Sequence, residues 1–139
     1  MTMKIALAQM APVWLNREAT LEKIEGQVER AAAAGAELVA FGEALLPGYP
    51  FWPDLTDGAR FESEVQKELF AHYAANAVDL EHGGLDALCR LAGKFEIAVY
   101  LGVIERSATR GGFSLYATLA YLSPDGRIAS SHRKLMPTF

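Results

Sequence analysis

The sequence predicts an α/β fold with a mixed, largely parallel sheet, and three features of the chain lead to this prediction. Two short apolar runs, residues 3–9 and 37–41, flank a segment with helical periodicity. A strand, a helix and a second strand in about forty residues form a βαβ unit, whose strands run parallel. The third feature is the turn sequence "SPDG", which lies between two predicted strands and is typical of an antiparallel hairpin.

The helices are predicted from their caps and apolar spacing. The first begins after Asn16, whose side chain can cap it, and ends at Gly35, where a left-handed residue is needed. A second helix is expected from residue 61 to roughly residue 80. A short third helix follows Gly83 and Gly84 and ends at Gly93.

The remaining segments are predicted strands. Residues 3–9 and 95–103 are almost continuously apolar, which is typical of strands covered on both faces. Residues 113–122 and 127–132 form the two arms of the hairpin. We therefore expect a single domain in which an antiparallel hairpin continues a parallel core.

Composition limits the possible partners. The 139 residues carry a net charge of only −4 and contain no block of Lys or Arg, so neither nucleic acid nor an anionic membrane is expected as partner. The N-terminal apolar run is too short to span a membrane and is a poor signal peptide. A single cysteine, Cys89, excludes an internal disulfide and favours a reducing compartment, so we expect a cytoplasmic protein.

Cofactor binding is not predicted either. The three histidines, His72, His82 and His132, show no metal-ligand spacing. Two glycine pairs occur, but neither follows a strand and opens a helix as a phosphate loop does. We therefore expect no metal and no nucleotide cofactor.

Glu43 is the first candidate for chemistry. It lies at the carboxyl end of the second predicted strand, where open α/β sheets collect reactive groups. Its apolar neighbours, among them Phe41 and Leu45, are expected to desolvate the carboxylate, a setting that suits a general base. The commoner fate of such a residue is a solvated or ion-paired carboxylate, and residue type alone does not decide between the two.

Other candidates are weaker when taken singly. Lys134 and Arg133 have the character of solvated cations at the end of a hairpin. Cys89 lies on a short apolar helix and is best interpreted as a small core residue. Tyr49 and Trp52, in the loop after Glu43, are candidate walls of a substrate pocket, although aromatic side chains more often pack in cores.

In combination, these segments resemble the nitrilase, or carbon–nitrogen hydrolase, superfamily over nearly the whole chain. The strongest matches are "GEALLPGYP" and "HRKLMPT", at this separation and in this order. "KIALAQMAPVW", "LGVIERS" and "LYATLAYLSPDGRI" resemble the family's first strand, third strand and hairpin. One departure is Ala117, where the family usually has Asn.

The resemblance implies a fold, a substrate class and roles for two residues. Glu43 corresponds to the general base and Lys134 to the catalytic lysine. Residues 1–139 would be the N-terminal portion of an α-β-β-α sandwich that acts on a small-molecule nitrile or amide. The family's cysteine nucleophile follows the lysine segment, and Cys89 does not match its position, so the isolated chain is expected to be inactive.

Three alternatives remain open from the sequence. The chain could be a member of the amidase branch. It could instead be a non-catalytic assembly or binding module, in which an unpaired sheet edge and an exposed apolar patch favour a homo-oligomer or pairing with a C-terminal portion. The third alternative, a flavodoxin-like nucleotide binder, shares the βαβ opening but lacks a phosphate loop.

Overall fold

The computed structural model describes residues 2–58, 60–109 and 114–136, which form one five-stranded mixed sheet with helices. The strands are β1 (Ile5–Ala8), β2 (Leu38–Phe41), β3 (Ala98–Arg106), β4 (Leu115–Ser123) and β5 (Arg127–Arg133). The helices are α1 (Arg17–Ala33), α2 (Trp52–Leu55), α3 (Glu64–Asn76) and α4 (Asp86–Phe95). The predicted α/β fold class is confirmed.

The strands are arranged across the sheet in chain order. β1 pairs parallel with β2, and β2 pairs parallel with β3. β3, β4 and β5 then pair antiparallel, so the hairpin extends the parallel part of the sheet. The carboxyl ends of β1, β2 and β3 therefore lie at the same edge, as the βαβ pattern predicted.

Helices α1 and α4 cover one face of the sheet. Their apolar side chains pack on alternate residues of the strands, such as Val39 and Val99, because side chains in a strand alternate between its two faces. Helix α1 begins as predicted, with the Asn16 side chain accepting a hydrogen bond from the Ala19 N–H at 3.0 Å. The largest fully buried residues of this core include Ile24, Leu46, Leu85, Leu88, Ile97, Leu101 and Leu122.

The opposite face of the sheet is partly open. Ile5 and Leu7 are 53% and 82% exposed, whereas Ala6 and Ala8 of the same strand pack against the core. The expectation that the first strand is covered on both faces is therefore wrong for this chain. In the part that the structure describes, no helix combines the length and the apolar character needed to cross a membrane.

The boundaries of two helices differ from the predictions. Helix α3 begins after the Ser63 cap rather than at residue 61, and it ends at Asn76 because Val78 pairs with β3 instead. Helix α4 continues through Gly93 to Phe95, and Gly93 packs closely against the hairpin turn instead of ending the helix. A Cβ at Gly93 would lie 3.2 Å from the Gly126 Cα in the hairpin turn. The predicted strand start at residue 113 lies outside the described residues.

Candidate active site

The loop that carries Glu43 crosses directly over strand β3. At Gly102, in the middle of β3, a Cβ would lie 2.3 Å from the Gly42 carbonyl oxygen and 2.7 Å from the Glu43 Cα. No side chain fits in that space, so the approach of the loop requires glycine at this position. Gly102 thus sets the height of Glu43 above the sheet.

Hydrogen bonds hold this loop where it rejoins the sheet. The Leu46 N–H donates to the Gly102 carbonyl at 3.2 Å, and the Ile104 N–H donates to the Leu46 carbonyl at 2.8 Å. Further along, the Tyr73 hydroxyl donates to the Gly48 carbonyl at 2.9 Å. The segment around Glu43 is therefore a loop that leaves the end of β2 and is held in place by hydrogen bonds.

Lys134 reaches Glu43 from the other end of the chain. Its Nζ donates to Glu43 Oε1 at 2.9 Å, although the two residues are 91 positions apart in sequence. The Lys134 N–H also donates to the Ala117 carbonyl at 2.8 Å, which continues the β4–β5 ladder by one residue. Because this bond uses a backbone carbonyl, it does not depend on the side chain at position 117.

Glu43 is more exposed than its apolar flanks led us to expect. Its side chain is 55% exposed, and that of Lys134 is 42% exposed. The neighbours Ala44, Leu45 and Leu46 turn into the core and leave the carboxylate facing outward. The prediction that these neighbours desolvate Glu43 is therefore wrong for this chain.

The ion pair borders a pocket of about 390 Å³ on the open side of the sheet. Tyr49 and Trp52 are not among its lining residues within the described ranges. Trp52 packs edge-on against Tyr73 in a second small core, and Tyr49 is partly exposed in the loop. Their role in substrate binding stays a prediction. The lining residues are Glu43, Gly102, Ala117, Thr118, Leu119, His132, Lys134 and Leu135.

Arg133, whose side chain is 44% exposed, pairs with a buried carboxylate, a partner that its sequence context did not indicate. Its Nε and Nη2 donate to the two carboxylate oxygens of Glu105 at 3.0 and 2.6 Å. The Thr118 hydroxyl donates to the same carboxylate at 2.7 Å. The bond from Arg133 holds the pKa of Glu105 below its ordinary value, and that from Thr118 adds to this, while burial opposes both.

Residue patterns alone did not single out Gly102 or Glu105, and they gave Arg133 no partner. Two signals were available: a glycine inside an apolar strand marks a close backbone approach, and a carboxylate in such a strand needs a partner. The second signal does not name the partner, because Arg133 is on a strand that pairs with β4 rather than with β3.

Cys89 does not belong to this pocket. It lies on α4 in the core between the helices and the sheet, whereas Gly102 and Lys134 line the pocket on the other side. Burial raises the pKa of the Cys89 thiol, which keeps it in the poorly nucleophilic protonated form. The prediction that Cys89 is a core residue is confirmed.

The described ranges contain no group of three or more His, Cys, Asp or Glu side chains that could hold a metal ion. What the pocket offers instead is a carboxylate that can accept a proton beside an ammonium that can stabilise negative charge. Cys89 is the single cysteine of the 139 residues, so they contain no thiol beside this pocket.

Comparison with protein families gives one match that spans almost the entire chain. Residues 4–139 match the family model described as carbon-nitrogen hydrolase. Among curated relatives, Nitrilase 2 from an unknown prokaryotic organism is 40% identical over 135 residues, which are 96% of this chain and 41% of that protein. A bifunctional nitrilase/nitrile hydratase from Lupinus angustifolius is 35% identical, over 99% of this chain and 38% of that protein.

Solved structures show the same fold. The C. elegans NitFhit protein superimposes with a TM-score of 0.68 at 18% identity, over 99% of this chain and 29% of that chain. A variant of the Nesterenkonia AN1 amidase from the nitrilase superfamily superimposes with a TM-score of 0.66 at 21% identity, over 96% of this chain and 43% of that one. The chain thus spans well under half the length of the relatives it matches.

Proposed function

The chain belongs to the carbon–nitrogen hydrolase family, and from this premise we propose that it supplies the base and the ammonium of a nitrilase-type active site. The proposed reaction converts a small nitrile to a carboxylic acid and ammonia. Glu43 is the proposed general base, and Lys134 is the proposed cation that stabilises charge in the transition state. No cofactor takes part in the proposal.

The observation that carries this proposal is the contact between Lys134 Nζ and Glu43 Oε1 at 2.9 Å. Two residues from distant parts of the sequence meet beside a pocket with room for a small molecule. An exposed ion pair contributes little to stability, so stability is a weak reason for this arrangement. Proton transfer beside a fixed positive charge is a stronger one.

Each group has a defined task in the proposed reaction. A cysteine thiol contributed from outside these 139 residues gives its proton to Glu43 and attacks the nitrile carbon, forming a thioimidate. The Lys134 ammonium stabilises the negative charge that develops on nitrogen. Glu43 then activates water, ammonia leaves, and a second water hydrolyses the resulting thioester to the acid and the free thiol.

Reconstitution tests this proposal. The chain is mixed with the part of the Nitrilase 2 relative that it does not match, and ammonia release from aliphatic and aromatic nitriles is measured. We expect turnover only in the mixture. Glu43→Gln and Lys134→Gln should each lower kcat by about 10²–10⁴-fold, because each removes a group that acts in the transition state.

Glu64→Gln and Lys67→Gln are the matched controls, since these two side chains form an exposed ion pair on helix α3. Both variants should retain the turnover of the unmodified chain. If the chain alone releases ammonia and Cys89→Ala abolishes this release, the proposal is contradicted, because Cys89 would then be the nucleophile. Undiminished turnover in Glu43→Gln would contradict the role of the base.

The same mixture distinguishes the nitrilase from the amidase branch. The relatives at 34–40% identity are named nitrilases or nitrilase/nitrile hydratases, and this favours nitriles as the substrate class. Parallel assays with the matching amides decide between the two. Faster release of ammonia from amides than from nitriles would assign the chain to amide hydrolysis.

A non-catalytic assembly module is the second candidate function. The partly open sheet face, with Ile5, Leu7 and Leu119 exposed, favours association with another polypeptide. In this proposal the occupant is a second copy of the chain or a C-terminal portion of the family fold.

We also infer a reducing, cytoplasmic location from the single cysteine, Cys89.

A further inference from the structure

Glu105 is a charged residue buried inside the fold. Its side chain is only 8% exposed, and it accepts three hydrogen bonds: two from Arg133 and one from the Thr118 hydroxyl. Arg133 also stacks on the Tyr116 ring, with its guanidinium carbon 4.1 Å from the ring centroid. A buried carboxylate with this many partners holds them in one geometry.

The Glu105–Arg133 pair lies on the face of the sheet that α1 and α4 cover, whereas the pocket lies on the opposite, partly open face. Successive residues in a strand point to opposite faces. At the end of β5, Arg133 therefore points towards Glu105 and Lys134 points towards Glu43. Strand β5 ends at Arg133, and the backbone of Lys134 is held by one further bond to the Ala117 carbonyl. An anchor on Arg133 thus fixes the direction in which the Lys134 side chain leaves the sheet.

We propose that Glu105 and Arg133 are positioning residues that hold the Lys134 ammonium against Glu43 through the backbone of β5. The positioning is a property of this chain by itself, whereas its importance for catalysis rests on the proposed function. Glu105 and Arg133 do not touch the reacting atoms in this scheme. They limit the range of positions that the ammonium occupies.

Carbodiimide cross-linking measures this positioning without requiring activity. The reagent activates the Glu43 carboxylate, the neutral amine of Lys134 attacks it, and an amide forms as the urea leaves. Digestion and mass spectrometry give the yield of the Glu43–Lys134 cross-link. The Glu64–Lys67 pair on α3, at 3.2 Å, gives an internal reference in the same digest.

Glu105→Gln should lower the ratio of the Glu43–Lys134 cross-link to the reference about tenfold, the population change that about 1.4 kcal/mol produces. Arg133→Lys, which keeps the charge but loses the two-pronged contact, should give an intermediate ratio. Asp125→Asn is the matched control: it breaks the exposed Asp125–Arg127 pair at the other end of β5 and should leave the ratio unchanged.

Circular dichroism identifies variants that remain folded. If Glu105→Gln does not fold, Thr118→Val provides the test, because it removes one bond to the carboxylate and preserves the shape of the side chain. It should lower the ratio about threefold. An unchanged ratio in a folded Glu105→Gln or Thr118→Val variant would overturn the proposal, as would an equal loss in Asp125→Asn.

Activity adds a separate readout. In the reconstituted mixture, Glu105→Gln should lower kcat and leave KM nearly unchanged, since the residue contacts no substrate. Failure of the unmodified mixture to turn over nitriles would refute the proposed function but would not alter the cross-linking result. The two proposals therefore fail separately.

Discussion

Gly102 is the single residue on which the placement of Glu43 most directly depends. Glycine inside a strand ordinarily weakens it, because the chain loses more entropy on folding and has no side chain to pack. At position 102 the absence of a side chain lets the Gly42 carbonyl approach β3 to a distance that any Cβ would block. A small local loss of strand stability therefore accompanies the position of the candidate base.

We expect Gly102→Ala to lower the free energy of unfolding by roughly 1–3 kcal/mol, because the added methyl group must displace the backbone of the loop. Urea unfolding measures this change. The same variant should also lower the Glu43–Lys134 cross-link, since Glu43 moves with the loop. A variant as stable as the unmodified chain would show that the loop does not need to approach Gly102 so closely.

Gly26→Ala is the matched control. Gly26 lies inside helix α1, and none of the described atoms outside its own helix and chain neighbours lies within 4 Å of a Cβ built there. Alanine has the higher helix propensity, so this variant should be more stable by about 0.5–1 kcal/mol. The two substitutions are chemically identical and should change stability in opposite directions.

The β4–β5 hairpin links the two sides of the sheet. Lys134 points to the pocket on the partly open face, and Arg133 points to Glu105 on the face that α1 and α4 cover. Both contacts depend on the antiparallel register, in which Thr118 is opposite Arg133. A shift of one residue would exchange the two cations between the faces, so the register of this element decides which of them meets Glu43.

The stabilisation that Glu105 gives this hairpin should depend on pH. The pKa of Glu105 is lowered mainly by Arg133 and also by Thr118, against burial and the charge of Asp79. Folding therefore favours the ionised form, and the stabilisation is complete above the pKa of the unfolded chain. It is lost as the pH falls from about 5 through the lowered pKa.

We expect Glu105→Gln to be less stable than the unmodified chain by roughly 1.5–3 kcal/mol at pH 7, the usual contribution of hydrogen bonds to a charged group. The difference should shrink as the pH falls from about 5 through the lowered pKa of Glu105, because Glu105 itself then becomes neutral. Urea unfolding at a series of pH values measures it. A difference that stays constant over this range would show that ionisation of Glu105 does not stabilise the hairpin.

The whole molecule has one covered and one partly open sheet face. Helices α1 and α4 cover the first, while the second exposes apolar side chains of β1 and β4. Exposed apolar surface is unfavourable in water and favours association. The candidate pocket lies on this same open side, so whatever packs there also borders the pocket.

We expect the chain to self-associate at micromolar concentration, as measured by sedimentation velocity. Leu7→Lys should reduce association because the Leu7 side chain lies on the open face. Leu55→Lys is the control, since Leu55 is similarly exposed but lies on helix α2. A monomer throughout the micromolar range, or equal effects of the two variants, would exclude this face as the site of association.

Much of the fold was predictable from the sequence because local patterns decide it. The caps and apolar spacing predicted helix α1, and the βαβ pattern predicted the parallel pairing of β1 with β2. The ends of α3 and α4 were less accurate. There, pairing of Val78 with β3 and packing of Gly93 against the hairpin turn override the local signal.

The sequence by itself determined the α/β class, the family and the choice of Glu43 and Lys134 as candidates, because motifs and periodicity are local properties. Only the tertiary structure decided that these two side chains meet, that Glu43 faces outward, and that Arg133 turns to Glu105. These outcomes depend on strand register and on which face each residue presents. Both arise when segments far apart in sequence pack together, so no short stretch of sequence contains them.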